Sequence, residues 1–291
     1  MSKIVVSYTT LPNRYDVLQK SVQSILNQTI KPYKIYISIP NISRRFGTLY
    51  PQLPDYIVNN CEVVKMDQDY GPLSKIYGGL YNEDDDDTII ITCDDDVVFS
   101  RTHIEKLVEK HKKYGCAVSG TGALLGLGPN LISIYSSIEP FNNLKGFTGF
   151  PIKKEGKKCD LLFGVAGVLY KRSMFPQKKM LYNEIFKHAL QHDDIFHNDD
   201  ILLSGYLSKN NINRMVFTDI PAVQHCSGEG ALSGNFFSMF ARAKLALKTA
   251  RNLGMYKNFE PCYIDYSPLI NGLFCFAVIV VLLVSLYFIL T

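Results

Sequence analysis

Tryptophan is absent from this chain of 291 residues, which weakens any interpretation as an aromatic stacking platform. The seven cysteines include no pair at C-x-x-C spacing, so the sequence predicts neither a zinc cluster nor a regular disulfide framework, and it favours reduced thiols. The formal net charge of +4 is too small to indicate a nucleic-acid partner. What remains is the composition of an ordinary globular protein, with 47% hydrophobic and 20% charged residues.

Long apolar runs are also missing until the last part of the chain. The opening run Ile4–Tyr8 is too short for the apolar region of a signal peptide. Residues 268–290 carry no charge, and about 22 helical residues span roughly 33 Å, enough to cross a bilayer core. We therefore expect a single-pass C-terminal membrane anchor at 268–290. Basic residues before it predict that the large N-terminal part faces the cytosol.

The first half of the chain alternates strand and helix patterns. Helices are expected from about residue 14 and after Thr102, where Thr102 and Glu105 have the spacing of a capping box. Strand–helix alternation with short links predicts an α/β fold with a mostly parallel, Rossmann-like sheet flanked by helices. The expected strands are 4–8, 34–39, 62–66 and 88–93.

Two segments allow two interpretations each. The basic run Lys153–Lys158 is typical of a solvated loop, or of a site for an anionic acceptor or a lipid head group. Residues 236–253 mix aromatic, apolar and basic side chains. They could form a helix that lies along a membrane surface, or an ordinary packing helix.

A short apolar strand with acidic residues at both ends is the most informative segment. Three consecutive isoleucines within Thr88–Cys93 indicate a strand buried on both faces of a parallel sheet. Ligands of open α/β sheets bind beyond the carboxyl ends of the strands. We therefore expect Asp84–Asp87 to form a solvated turn, and Asp94–Asp96 to lie at the ligand-binding edge.

The second acidic run has the spacing of a cation site. If the chain stays extended there, Asp94 and Asp96 point the same way while Asp95 points to the opposite side. Two convergent carboxylates can hold Mg²⁺ or Mn²⁺, which also bind phosphate oxygens and stabilise a departing diphosphate. A solvated acidic turn is the alternative.

Two further sites are candidates for chemistry. Asp199 and Asp200 follow Asn198 at an expected helix start, where acidic residues serve as caps and favour the helix dipole. One of these carboxylates could instead act as a general base toward an acceptor hydroxyl. The third candidate is His225, although a lone histidine is usually structural.

In the order of its motifs, the chain resembles a nucleotide-sugar glycosyltransferase of the GT-A fold, close to the family 2 type. The resemblance covers about residues 3–226. The segments that carry it are Val5–Thr10, Asp69–Lys75, Asp94–Asp96 as the D-x-D motif, Gly164–Gly167 as the acceptor segment, and Asp199–Asp200 as the E-D motif.

On the donor side, the resemblance implies a role for each matching residue. Thr9 and Thr10 would border the nucleoside, Asp69 would hydrogen-bond the base, and Lys75 would reach the diphosphate. Asp94 would face the ribose or sugar.

On the metal and acceptor side, Asp96 would be the main metal ligand, together with His225, which matches a C-terminal metal-binding histidine. Asp200 would be the catalytic base and Asp199 would contact the acceptor. Because Asp stands at 199 where Glu is usual, the choice between Asp199 and Asp200 stays open.

These expectations combine into a metal-dependent, inverting glycosyltransferase that uses Mn²⁺ or Mg²⁺. Its donor would be a nucleoside-diphosphate sugar and its acceptor a glycan, glycoprotein or glycolipid. Residues 1–235 would form the catalytic domain, 236–267 a basic amphipathic connecting segment, and 268–290 the membrane anchor. The alternatives are a nucleotidyltransferase, disfavoured because Thr9–Arg14 contains no glycine, and an inactive membrane-tethered binding protein.

Overall fold

Strands and helices alternate along the first half of the chain, as the sequence predicts. The computed structural model describes residues 2–125, 131–136, 156–221, 223–226 and 236–256. Its strands are β1 (Ile4–Tyr8), β2 (Lys34–Pro40), β3 (Ile42–Ser43), β4 (Thr48–Leu49), β5 (Glu62–Met66), β6 (Ile89–Thr92), β7 (Val97–Val98), β8 (Ala117–Ser119), β9 (Thr121–Leu125), β10 (Leu131–Ser136), β11 (Lys157–Lys158), β12 (Leu161–Leu162), β13 (Val168–Lys171), β14 (Arg214–Val216) and β15 (Gln224–His225).

The helices surround these strands. They are α1 (Tyr15–Leu26), α2 (Asp55–Asn60), α3 (Tyr77–Asn82), α4 (His103–Tyr114), α5 (Lys178–Leu181), α6 (Lys187–Gln191), α7 (Asp193–Phe196), α8 (Asp199–Lys209) and α9 (Phe236–Asn252). Short 3₁₀ helices occupy Gly71–Ile76, Gly164–Ala166 and Arg172–Met174, and a π-helical turn occupies Tyr182–Phe186.

The central sheet has eight strands in the order β11-β14-β8-β13-β6-β1-β2-β5. Strand β1 pairs in parallel with β2 and β6, and β2 pairs in parallel with β5. Strand β14 is parallel to β8, whereas β13 is antiparallel to both of its neighbours and β11 is antiparallel to β14. This mixed but mostly parallel sheet confirms the predicted α/β class.

Burial explains the positions of β6 and α1. Ile90 and Ile91 of β6 are fully buried, as expected for a strand covered on both faces. On α1, the side chains of Leu18, Val22 and Ile25 are also fully buried, at the spacing of one helical face. Strand β6 is therefore buried as predicted, and α1 packs on the protein through one face.

The predicted capping box at the start of α4 is wrong. Thr102 stands at the N-cap position but makes no side-chain capping hydrogen bond. Glu105 instead accepts a hydrogen bond from the hydroxyl of Thr29, at 2.8 Å. A long-range partner thus replaces the local contact that the spacing suggests.

The two ends of β6 differ as predicted. Asp84–Asp87 are exposed, and the carboxylates of Asp84 and Asp87 pair with Lys178 and Lys171, each at 2.6 Å. The acidic run before the strand is therefore a solvated turn. The five cysteines within the described ranges are free thiols, as expected, while Cys262 and Cys275 lie outside those ranges.

Helix α9 packs against the protein through one face. Ala246, Leu247 and Ala250 are buried in the same hydrophobic cluster as Leu202 and Leu207 of α8. Of the two interpretations of this segment, the packing helix is the one that these contacts favour.

No helix within the described ranges is both long and apolar enough to cross a membrane. The predicted anchor at 268–290 lies outside the described residues, as do Lys153 and Lys154 of the basic run. Lys157 and Lys158 of that run form β11, at the edge of the central sheet.

Candidate active site

The predicted ligand-binding residues gather at one edge of the sheet, where parallel strands end. Thr9 and Thr10 follow β1, and Asp94–Asp96 follow the neighbouring strand β6. Asp69 comes after β5, at the same edge. Their shared location is the geometry that open α/β sheets use to bind ligands.

The acid triplet forms the turn between β6 and β7 rather than a straight extension of the strand. Exposure nevertheless alternates along it. The side chains of Asp94 and Asp96 are 30% and 19% exposed, whereas Asp95 is buried. The prediction that Asp94 and Asp96 point the same way with Asp95 opposite required an extended chain, and the turn departs from it: Asp95 and Asp96 approach the same nitrogen of Arg14, whereas Asp94 pairs with Lys75.

Arg14 holds two members of this triplet. Its Nη2 atom lies 3.0 Å from Oδ1 of Asp95 and 2.6 Å from Oδ2 of Asp96. The guanidinium is itself buried at the start of α1. With both acids ionised, the trio keeps one net negative charge, which leaves Asp96 able to attract a cation.

Asp95 is the anchor of the turn. Its Oδ2 atom accepts a hydrogen bond of 2.6 Å from the hydroxyl of Thr10, whose own carbonyl accepts one of 2.9 Å from Tyr50. Burial raises the pKa of Asp95 to about 6, against the opposing effects of Arg14 and Thr10. Thr10, predicted to border a nucleoside, is therefore engaged in holding the turn.

A second buried cation, Lys75, links the triplet to the start of α8. Its Nζ atom pairs with Oδ1 of Asp94 and lies 3.0 Å from Oδ2 of Asp199. Burial alone would lower the pKa of Lys75, but Asp199, Asp94 and Asp200 raise it well above its ordinary value. Lys75 thus remains charged. Because these carboxylates enclose its ammonium group, it is not held toward open space for a diphosphate.

Asp200 lies beside this ion pair and is the more accessible of the two adjacent acids. Its Oδ1 accepts a hydrogen bond of 2.9 Å from the backbone N–H of Gly164, while Asp199 is only 7% exposed. Desolvation and the neighbouring Asp199 raise the pKa of Asp200 well above its ordinary range, although Lys75 opposes the shift. A carboxylate with a raised pKa suits proton transfer near neutral pH.

Gly164 has a steric reason to be glycine. A Cβ atom there would lie 2.9 Å from Nζ of Lys75 and 3.1 Å from Oδ1 of Asp200. The predicted acceptor segment therefore lies against the charged cluster, and its backbone orients Asp200.

Asp69 and Thr9 fasten the loops around the site. Asp69 accepts backbone hydrogen bonds of 2.7 Å from both Arg44 and Gly71. The hydroxyl of Thr9 donates to the carbonyl of Ser38, at 2.8 Å. The roles of both residues toward a nucleoside stay predictions.

His225 lies next to the triplet through backbone pairing. It is opposite Val97 in the β7–β15 ladder, and the N–H of Cys226 donates to the carbonyl of Asp96 at 2.7 Å. Within the described residues, no three His, Cys, Asp or Glu side chains gather to hold a metal. The carboxylate of Asp96 has the donor chemistry that a hard divalent cation prefers, and the role of His225 as a second ligand stays a prediction.

Sequence reasoning missed Arg14 and the anchoring role of Asp95. Arg14 stands four residues after Thr10, at the end of the glycine-free loop Thr9–Arg14. A basic residue so close to the end of the first strand was a usable signal, because that edge faces the acid triplet. Nothing in the local pattern predicts that Lys75 joins Asp94 to Asp199.

Residues 4–147, just under half of the chain, match the sequence model of Glycosyl transferase family 2. No curated protein matches the sequence. Among solved structures, S. aureus TarS is similar at 10% identity, with a TM-score of 0.45, over 77% of this chain and 37% of that one. A complex of S. aureus TarS 1–349 with UDP-GlcNAc has 11% sequence identity and a TM-score of 0.47, over 85% of this chain and 66% of that one. The complex of the same TarS fragment with UDP has 11% sequence identity and a TM-score of 0.43, over 78% of this chain and 61% of that one. This chain therefore covers less than two thirds of each of these TarS chains.

Replacing Asp95 by alanine tests the anchor. The change removes the acceptor of Thr10 and leaves buried Arg14 with Asp96 alone, so we expect the free energy of unfolding to fall by about 3–5 kcal/mol. Urea denaturation measures it. Asp87→Ala, at the other end of the same strand, removes an exposed pair and should leave the free energy of unfolding nearly unchanged. Equal losses in the two variants would contradict the anchoring role.

Proposed function

We propose that this chain, a glycosyltransferase of the family 2 type, moves a sugar from a nucleoside-diphosphate sugar to an acceptor hydroxyl with inversion at the anomeric carbon. The observation that carries the proposal is the pair of acidic groups at one sheet edge. Asp94 and Asp96 follow β6, Asp199 and Asp200 begin α8, and Lys75 joins the two groups. Asp94 and Asp96 suit the donor, and Asp199 and Asp200 suit an attacking hydroxyl.

Asp200 is the better candidate for the general base. Asp199 is buried and paired with Lys75, so its carboxylate is committed to that cation. Asp200 has a raised pKa and a partly exposed side chain, and the N–H of Gly164 fixes one of its oxygens. The other oxygen is left to accept a proton. Asp199 is then a positioning residue.

The reaction follows from this arrangement. The acceptor hydroxyl gives its proton to Asp200 as its oxygen forms a bond to the anomeric carbon. The bond from that carbon to the diphosphate oxygen breaks, and the nucleoside diphosphate leaves with the electron pair. Because attack and departure occur on opposite faces, the anomeric configuration inverts.

We further propose that the reaction depends on Mn²⁺ or Mg²⁺. Asp96 and His225 would hold the ion, which when bound stabilises the negative charge of the departing diphosphate. Since fewer than three side chains of the described residues could share a cation, the ion would bind together with the donor. Within the protein, Arg14 positions the carboxylate of Asp96 through the ion pair between them.

The acceptor and the location of the enzyme are proposals that rest on the sequence. The uncharged stretch at 268–290 has the length of a membrane span. We propose that it anchors the enzyme with its catalytic part on the cytosolic side. A glycan, glycoprotein or glycolipid at that surface would then be the acceptor.

A panel of nucleoside-diphosphate sugars tests the function. With Mn²⁺ or Mg²⁺, the wild-type protein should release a nucleoside diphosphate by transfer or slow hydrolysis, and a chelator should abolish the release. Asp200→Asn should lose at least about 100-fold in kcat while its donor KM stays nearly unchanged. Asp87→Asn is the matched control, since that carboxylate is exposed and distant in sequence.

Three outcomes would contradict the proposal. Pyrophosphate release from a nucleoside triphosphate would indicate a nucleotidyltransferase. Donor binding without hydrolysis or transfer would indicate an inactive binding protein. Undiminished activity in the presence of a chelator would show that the reaction does not require a metal ion.

The pH profile tests the coupling between Lys75 and Asp200. The base must be ionised, so kcat/KM should fall as pH drops through the raised pKa of Asp200. Since Lys75 lowers that pKa, Lys75→Met should raise it further and move the acidic limb of the profile to higher pH. Lys75→Arg keeps the charge and is the control. An unshifted limb in a folded Lys75→Met protein would show that Asp200 is not the titrating group.

A further inference from the structure

The hairpin that strands β3 and β4 form after β2 carries apolar side chains into solvent. Among the described residues, eight large hydrophobic side chains are exposed, and three of them belong to this hairpin: Ile42, Phe46 and Leu49. The other five are distributed along the rest of the chain. Single exposed apolar residues are ordinary on a protein surface, whereas a group of them marks an interaction site.

The pairing of the two strands puts Ile42 and Leu49 on one face of the hairpin. Ile42 is directly opposite Leu49 in the antiparallel ladder, and Ser43 is opposite Thr48. Side chains of opposite residues project from the same face, with Cβ atoms about 4.5–5.5 Å apart. Because faces alternate along a strand, Ser43 belongs to the other face, and it is fully buried. The Ser43 side is thus turned to the protein, and the side of Ile42 and Leu49 is turned outward.

The tip of the hairpin is basic and aromatic. Arg44, Arg45, Phe46 and Gly47 form the turn, and all four are exposed. The guanidinium carbon of Arg45 lies 5.5 Å from the ring centre of Phe46. No acidic residue occurs within residues 41–50. The hairpin therefore presents apolar side chains and positive charge together.

The rest of the protein holds the hairpin in place. The hydroxyl of Tyr50 donates to the carbonyl of Thr10 at 2.9 Å, and the N–H of Arg44 donates to Asp69 at 2.7 Å. The Nη2 atom of Arg44 also lies 2.5 Å from Oδ1 of Asp193. A surface held ready in this way loses little conformational entropy when it binds a partner.

We propose that this hairpin docks on an anionic lipid surface. Ile42, Phe46 and Leu49 insert at the boundary between head groups and acyl chains, and Arg45 lies among the lipid phosphates. Basic residues beside Phe and Leu are the composition of segments that lie in a membrane interface, and an anionic leaflet attracts Arg near its surface.

The size of the apolar face disfavours a protein partner. A stable protein interface buries about 800 Å² on each side, and three apolar side chains supply only part of that area. Shallow insertion into lipid requires no such area. It is weak by itself, because stable attachment to a membrane takes two signals. The inference therefore rests on the proposed anchor at 268–290 as the second signal, and it is independent of the proposed reaction.

An introduced tryptophan tests the docking surface, because the chain has none of its own. In the full-length protein bound to vesicles of phosphatidylglycerol and brominated phosphatidylcholine, the lipid bromines should quench the fluorescence of Leu49→Trp. Tyr33→Trp is the matched control. Tyr33 and Leu49 are similarly exposed, at 68% and 71%, but Tyr33 lies beside Lys3 and Lys34 at the opposite end of β2. Its quenching should be at most about half as large.

The same reporter tests the charge of Arg45. Arg45→Gln in the Leu49→Trp protein should lower the quenching on these anionic vesicles about twofold or more. Vesicles of brominated phosphatidylcholine alone should give the same low quenching with and without the change. Thermal unfolding midpoints check that each variant is folded.

The outcomes separate this surface from the anchor. Equal quenching in Leu49→Trp and Tyr33→Trp would overturn the docking surface and leave the anchor in place. Shielding of Leu49→Trp from iodide before lipid is added would also overturn it, because another segment of the chain or a second copy would then cover this face. Undiminished quenching in Arg45→Gln would overturn the attraction to anionic head groups. A full-length protein that does not associate with vesicles would overturn this surface together with the anchor.

Discussion

The ammonium group of Lys75, buried among carboxylates, is the interaction on which the rest of the site depends. It pairs with Asp94 at the end of β6 and with Asp199 at the start of α8. A buried cation without a partner is strongly destabilising, so Lys75 requires these acids nearby. It thereby fixes the distance between the end of β6 and the start of α8. Gly164 completes the arrangement, since a Cβ atom there would lie 2.9 Å from Nζ of Lys75 and 3.1 Å from Oδ1 of Asp200, closer than ordinary van der Waals contact.

Arg14 is a second buried cation held between carboxylates, those of Asp95 and Asp96. Arg14 contacts Asp95 and Asp96, and Lys75 contacts Asp94 and Asp199, so each cation with its two carboxylates keeps one negative charge when the acids are ionised. Desolvation and the neighbouring Asp199 raise the pKa of Asp200, and Asp96 shares the single charge of Arg14 with Asp95.

The sequence predicts the sheet edge well and the side-chain partners poorly. The isoleucines of β6 indicate both burial and strand polarity, and polarity alone separates exposed Asp87 from the ligand-side Asp94. Lys75 and Arg14 could not be placed in the same way, because their partners are distant in the chain and only packing brings them together. The predicted capping box of Thr102 and Glu105 is wrong for a related reason. The hydroxyl of Thr29, distant in the chain, donates to the Glu105 carboxylate that the local spacing assigned to the cap.

A double-mutant cycle tests the linking role of Lys75 most directly. Asp94→Asn and Asp199→Asn each leave Lys75 with one of its two ion-pair partners, whereas the double variant removes both. The free energy of unfolding, measured by urea denaturation, should therefore fall in the double variant by about 1 kcal/mol or more beyond the sum of the single losses. Additive losses, within about 0.5 kcal/mol, would show that the two carboxylates do not act through a shared cation.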